Sequence, residues 1–377
     1  MPLFEHHDTL IDIGSNLTLG EKIKLLHAEI NQRVPAISRV AAALYDPKTD
    51  LVKTFLHSSH ENDPLVHYEA KLNETPSLRE IVERRRPRIV NDLSLFDQGH
   101  RKHTQHIRSQ GFASSYTMPM YVRGNLFGFL FFNSEVRATF TTSVLHQLAP
   151  LGHLIALTII NDLAGTQALL STVKAARDMA HLRDDETGSH QDRMSRYARL
   201  IARKIAAKHQ LSDEYIENIF AFSVLHDIGK MGVPDNILFK PGRLDNAELE
   251  IMRQHTVKGR QLIDKLLEDF ELSGMHRIDM LRNIAELHHE TLNGSGYPHG
   301  LKGTDIPIEA RITAVADIFD ALTSHRPYKQ AWSNREALDM LESLKHDKLD
   351  PDCVDALIAS LKEIEEIQRQ FSENSYE

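Results

Sequence analysis

Apolar and polar positions follow different rhythms in the two halves of the chain. Near the start, Ile23, Leu26 and Ile30 recur at threes and fours within 21–33, which predicts a helix. The runs 38–45 and 51–57 then read as strands. Residues 118–122 and 126–133 flank Arg123-Gly124-Asn125 and predict a hairpin, since Gly124 and Asn125 tolerate the positive φ of a tight turn. From 141 to 183 the period turns helical, carried by Leu145, Leu148, Ile155, Ile159, Leu163, Leu170, Val173 and Met179, with no proline after Pro150. A run this long without an evident cap suits a connector or a dimer seam better than a lone surface helix. Beyond it nearly everything reads as helix, broken by Gly/Pro loops at 232–241, 293–307 and 326–334.

Composition narrows the class. A chain of 377 residues, 41% hydrophobic and 26% charged, suits two soluble domains that each bury a core. The formal net charge of -9 argues against a DNA or general nucleic-acid binder, so an anionic ligand must be met by a local cation cluster. The single cysteine, Cys353, excludes an intrachain disulfide and a cysteine-rich zinc site. Any metal must therefore be held by histidine and carboxylate. The N-terminus carries charge where a signal peptide needs an apolar run, and the greasy stretches 126–132 and 145–160 read as too short or too interrupted for a bilayer. The expectation is a cytoplasmic protein with no membrane association. Arg84 to Arg88 reads as a solvated turn or helix end rather than an anion site.

The chemistry-bearing residues lie in the second half. Glu186 and His190 are four apart and share a helical face, where they form either an ion pair or part of a ligand cluster. His226 and Asp227 are adjacent polar residues inside what reads as an apolar helix, a costly placement unless something satisfies them. Lys230 follows one turn on. His255 stands on another helix, and His288-His289-Glu290 ends the amphipathic stretch 280–287 just before Gly294-Ser295-Gly296-Tyr297-Pro298. Consecutive imidazoles on a helix point about 100° apart, and so reach two metals better than one. Asp317 sits in an otherwise apolar helix, and Asp320, one turn later, either supports a ligand from behind or makes a helix–helix hydrogen bond, the latter being the favoured reading. Five segments thus offer only His, Asp and Glu, the donors suited to Fe, Mn or similar divalent ions.

Two resemblances follow from these residues. By the order and size of its elements and its closing hairpin, the first half resembles a GAF domain. Glu-Thr-Gly-x-His, His-Asp-x-Gly-Lys, His255, His-His-Glu, Gly-Tyr-Pro and Asp-x-x-Asp-Ala-Leu-Thr, in that order, resemble the HD-GYP family of cyclic di-GMP phosphodiesterases over roughly 176–370. The implied architecture is an α/β GAF-like sensory domain at 1–140 and an all-α HD-superfamily helical domain at 176–377. A long connecting and dimerising helix at 141–175 would join them.

The resemblance implies that His190, His226, Asp227, His255, His288, His289 and Asp317 hold two or three divalent ions, Fe or Mn. Asp227 would bridge them, and Glu186 matches the position of the third. It further implies attack on phosphorus by a metal-bridging hydroxide, giving pGpG or GMP. His226, Asp227 and Lys230 would be catalytic. Lys230, Arg326 and Lys329 would meet substrate phosphate, and Tyr297 would stack on a guanine or hold its loop. The implied partners are cyclic di-GMP and a second copy of the chain. A catalytically quiet receptor that signals to partner proteins, and a phosphodiesterase for a mixed cyclic GMP-AMP dinucleotide, are the competing readings. One departure stands out: Asn293 occupies a position where the family usually has Asp, and the loss of that charge is expected to alter rate or metal preference.

Overall fold

A computed structural model describes residues 11, 13–14, 17–59, 67–96, 111–180, 188–270, 277–324 and 330–372, with backbone alone at 96 and 173–180. Two compact units divide at 164/165, within one long helix.

The first unit opens with α1, Leu19–Arg33. Thr18 and Glu21 set its start: Thr18 Oγ1 accepts from Glu21 N at 2.9 Å, and Glu21 Oε2 accepts from Thr18 N at 2.8 Å. There follow β1 Arg39–Asp46, β2 Leu51–Ser59, β3 Glu69–Lys71, α2 Pro76–Arg84, β4 Arg88–Val90, β5 Ser114–Val122 and β6 Asn125–Ser134. The strands form one antiparallel sheet in the order β3-β2-β1-β6-β5-β4. The β5–β6 turn is Arg123-Gly124, at φ 50° and 84°, while Asn125 already pairs with Val122. The turn thus lies one residue earlier than the Gly124-Asn125 expectation.

Helix α3, Thr142–Ala180, runs for 39 residues. Its Leu148, Ile155 and Ile159 pack with Leu19, Ile23, Leu26 and Ile30 of α1 against Val40, Ala42, Leu130 and Phe132 of the sheet. Side chains on the opposite face, Ala43, Val52 and Phe129, pack with Leu78 and Ile81 of α2. By length and composition Thr142–Thr172 is apolar enough to cross a bilayer, contrary to the sequence expectation. Helical continuity through Pro150 joins segments that look interrupted in the sequence. Leu148, Ile155 and Ile159 are nonetheless core residues of the first unit, and burying each contributes about 1.5–3 kcal/mol.

The second unit is helical. Its elements are α4 Gly188–His209, α5 Asp213–Phe222, α6 Asp235–Leu238, α7 Asn246–Arg253, α8 His255–Asp269 and α9 Ile278–Leu287. They continue with α10 Ile308–Thr323, α11 Asn334–Leu344, α12 Pro351–Ile358 and α13 Leu361–Gln370. Helix α4 runs through the middle of the core. Ala198, Ala202 and Ala206 lie buried along it, and Tyr197 meets Phe319 of α10 edge-on at 5.1 Å. The small residues allow neighbouring backbones to come close enough to bring ligands from different helices together. Between α5 and α6 the helix does not continue. Two 3-10 turns, Ser223–Leu225 and Ile228–Gly232, replace it.

Candidate metal centre

His226 and Asp227 sit at the junction of those two 3-10 turns, not inside a helix as their apolar flanks suggest. The break aims both side chains the same way. Gly229 permits it: a Cβ there would lie 1.8 Å from the His255 carbonyl oxygen, so only glycine lets this turn touch the start of α8. His255 is the first residue of α8, His288 caps the end of α9, and His289 follows it. His190 enters from the first turn of α4, and Asp317 from the middle of α10.

These side chains fall into two groups, Asp227 with His255, His288 and His289, and His190 with His226 and Asp317. Within each group one donor atom per residue lies within 4.8 Å of every other. His288 and His289 converge on the same group, with ring centroids 4.1 Å apart, rather than serving two. The chain turns off the helix at His288, so the 100° helical offset no longer separates the rings. Asp227 spans both groups. Its Oδ1 lies 3.1 Å from His255 Nε2 and 3.7 Å from His288 Nε2, and its Oδ2 lies 3.1 Å from His226 Nε2 and 2.7 Å from Lys230 Nζ. Asp317 Oδ1 is 3.7 Å from His226 Nε2.

A fixed tautomer prepares four of the five rings. His226 Nδ1 donates to the Ser223 carbonyl at 2.8 Å, His255 Nδ1 to Met252 at 2.8 Å, and His288 Nδ1 to Ile284 at 2.9 Å. His190 Nδ1 instead meets Asp320 Oδ2 at 2.7 Å. With Nδ1 carrying the proton, Nε2 presents a lone pair to the centre. The Nε2 atoms of His190, His255 and His288, with Asp227 Oδ1, are buried and have no hydrogen-bond partner among the described residues. Each such group costs about 1–3 kcal/mol unless something satisfies it. Burial lowers the affinity of His288 and His289 for protons, and neighbouring rings push His289 well below its ordinary value. Burial pushes the Asp227 carboxyl up, but the Lys230 ammonium 2.7 Å away is the largest of the effects that oppose this, and the carboxyl lies well below its ordinary range. Imidazole Nε2 atoms and carboxylate oxygens gathered this closely fit a divalent cation.

The loop after His289 is tied to the centre. Glu290, buried, accepts from His299 N at 2.7 Å, Gly300 N at 3.1 Å and Leu301 N at 3.0 Å. A Cβ on Gly296 would lie 2.5 Å from both the His289 carbonyl oxygen and Thr291 N. Tyr297 stacks on His289 at 4.8 Å, and the Arg253 guanidinium lies 5.4 Å from the Tyr297 ring centroid. Asn293 does not act on a ligand histidine in this arrangement. Its Oδ1 accepts from Thr291 Oγ1 and Ser295 N, and its Nδ2 donates to Asp347 Oδ1 at 3.0 Å. An aspartate there would lose that donor and face Asp347 as a like charge.

Glu186, Arg326 and Lys329 lie outside the described residues. Sequence alone assigns no site role to Arg193 or Glu290, and favours a helix–helix hydrogen bond over support of a ligand for Asp320. Asp320 does make a helix–helix hydrogen bond, but its partner is the candidate ligand His190. A carboxylate one turn after Asp317 in an apolar helix is the signal that points to it.

Comparison with known proteins agrees with this layout. Residues 21–159 match the family model described as a GAF domain, and residues 174–353 that described as an HD domain. The chain thus pairs a stretch that matches the GAF domain model with one that matches the HD domain model. Its second half is 43% identical over 190 residues to the cyclic di-GMP phosphodiesterase response regulator RpfG of Xanthomonas campestris pv. campestris, covering 50% of this chain and 47% of that protein. It is 38% identical over 202 residues to a cyclic di-GMP phosphodiesterase of Thermotoga maritima, covering 54% and 52%. Identity to 3'3'-cGAMP-specific phosphodiesterase 2 of Vibrio cholerae is 38% over 176 residues, covering 47% and 32%. The chain therefore spans about half or less of the length of these relatives.

Proposed function

We propose that the HD domain is a metal-dependent phosphodiesterase that opens cyclic di-GMP to pGpG, and onward to GMP, under control of the GAF domain. The observation that carries this reading is the pair of ligand groups joined through Asp227, with buried Nε2 lone pairs aimed between them. His255, His288 and His289 would hold one ion, His190, His226 and Asp317 a second, and Asp227 both. Fe or Mn suits this donor set, and Glu186 would add a third position. Such ions, when bound, acidify water and offset charge on phosphoryl oxygens.

The chain's own groups do the rest. Asp227 fixes the separation of the two positions through its two oxygens. Lys230, partly exposed beside Asp227, is placed to meet a phosphate oxygen or steady the departing 3'-oxygen. Arg326 and Lys329 are assigned to substrate phosphate by resemblance to the HD-GYP family, where two cations on a dinucleotide suit an otherwise acidic chain. Tyr297 is assigned to holding His289 rather than to stacking on a base, since its ring already lies against that imidazole.

The comparable identity to a cGAMP-specific enzyme favours a second substrate reading, a mixed cyclic GMP-AMP dinucleotide. Measured kcat/KM for both dinucleotides on metal-loaded chain separates them: the proposal expects the larger value for cyclic di-GMP, and a larger value for the mixed dinucleotide would replace the substrate. We place the protein in the cytoplasm as a homodimer along α3, on the strength of its single buried cysteine and the exposed Leu157 on that helix.

A further inference from the structure

The two metal positions are braced differently. In the Asp227/His255/His288/His289 group, the Nδ1 partners seen are carbonyls three or four residues back in the chain, at Met252 and Ile284. Once the local turn forms, those rings are oriented. His226 of the other group is set in the same way by Ser223. His190 is the exception, because its Nδ1 partner is a carboxylate 130 residues away, Asp320 on α10.

Asp320 is fully buried, and what fixes it is a further relay. Arg193 grips it with two donors, Nε to Oδ1 at 2.8 Å and Nη2 to Oδ2 at 3.1 Å, and Ser324 Oγ donates to Oδ2 at 2.9 Å. Arg193 Nη2 also donates to Ser324 Oγ at 2.7 Å. The remaining arm, Nη1, donates to the carbonyl of Phe371 at 3.1 Å. Phe371 caps the end of α13 and is buried, with the Arg196 guanidinium 3.9 Å from its ring centroid. A continuous chain of contacts thus runs from the last turn of the HD domain to a candidate metal ligand.

We infer that Arg193 and Asp320 are positioning residues for the His190/His226/Asp317 half of the centre, and that docking of Phe371 sets the metal affinity of that half alone. The inference rests on the metal-dependent reading above. A carboxylate behind an imidazole both orients the ring and raises the basicity of its ligating nitrogen, and losing such support typically weakens metal binding about 10–100-fold. Asp320 can do this only while the two-pronged Arg193 contact holds its plane, and Arg193 is itself anchored at Phe371. His255 and His288, braced by carbonyls of their own turns, have no such dependence.

The test is a titration of Mn²⁺ into chelator-stripped full-length chain, with free Mn²⁺ followed by electron paramagnetic resonance and the visible spectrum of a parallel Co²⁺ sample recorded. Wild type is expected to fill at least two positions per chain. Asp320→Asn, Arg193→Lys and Phe371→Ala are each expected to weaken one step about 10–100-fold while leaving the other as in wild type. Glu363→Gln, which breaks the α13 ion pair to Lys204, should leave both steps unchanged. Arg193→Lys keeps charge and most of the packing, so it serves if the other variants lose their wild-type circular dichroism. Variants that bind both ions as wild type does, or lose both steps together, overturn the inference. Wild type that takes up no metal overturns the reading beneath it instead.

Discussion

At the residue scale, the centre depends on positions where one atom decides. Gly296 is one such case, since a methyl group there would press on the His289 carbonyl and the Thr291 amide at 2.5 Å. Both neighbours are backbone and cannot swing away. Gly296→Ala is therefore expected to destabilise the HD domain by about 1–3 kcal/mol through overpacking and to displace His289. A thermal melt and a metal count on the same sample check this, and unchanged values for both would contradict it. The candidate ligands are legible in the amino-acid sequence as a set and weakly one by one. His226, Asp227 and Asp317 are polar residues in apolar runs, whose burial asks for a partner, whereas His255 alone reads as a surface side chain and His190 with Glu186 as a surface ion pair. For Asp320 the sequence favours a helix–helix bond over support of a ligand, because nothing in local spacing reports that its partner is His190.

At the element scale, the ends and interruptions of helices do the positioning. The α5 helix gives way to 3-10 turns at Ser223, His255 opens α8, and His288 closes α9. Apolar periodicity predicts an unbroken helix through His226, since the same side chains are apolar in either geometry. The loop after α9 is held by one carboxylate, Glu290, which collects three backbone N–H groups. Glu290→Ala leaves those donors unmet and is expected to cost about 1–3 kcal/mol. The same loss should raise hydrogen exchange over 297–301 while leaving the GAF domain unchanged. Exchange that rises equally in both domains, or in neither, would contradict this account of the loop. The first unit is legible in its longer strands and hairpin, whereas the three-residue strands β3 and β4 are too short to carry an alternation.

At the scale of the whole molecule, one helix belongs to both units. Its first half supplies Leu148, Ile155 and Ile159 to the GAF core, and Leu169 belongs to the HD core. The expectation of a separate connector at 141–175 follows from its even periodicity, which does not distinguish a side chain facing a sheet from one facing a second chain. Leu157 remains exposed on it. Light scattering at micromolar concentration is expected to give the mass of a dimer, and Leu157→Glu to shift it toward monomer; a wild-type monomer would remove the seam.

The central claim is that two joined ligand groups hold metal and cleave a cyclic dinucleotide. The most direct measurement is turnover of cyclic di-GMP by chain purified without oxygen, with metal content determined on the same sample and His226→Ala/Asp227→Ala as the control. The account predicts two or three ions per chain and release of pGpG or GMP, both lost in the control. A metal-loaded chain that binds cyclic di-GMP and leaves it intact would contradict catalysis and make this HD domain a receptor.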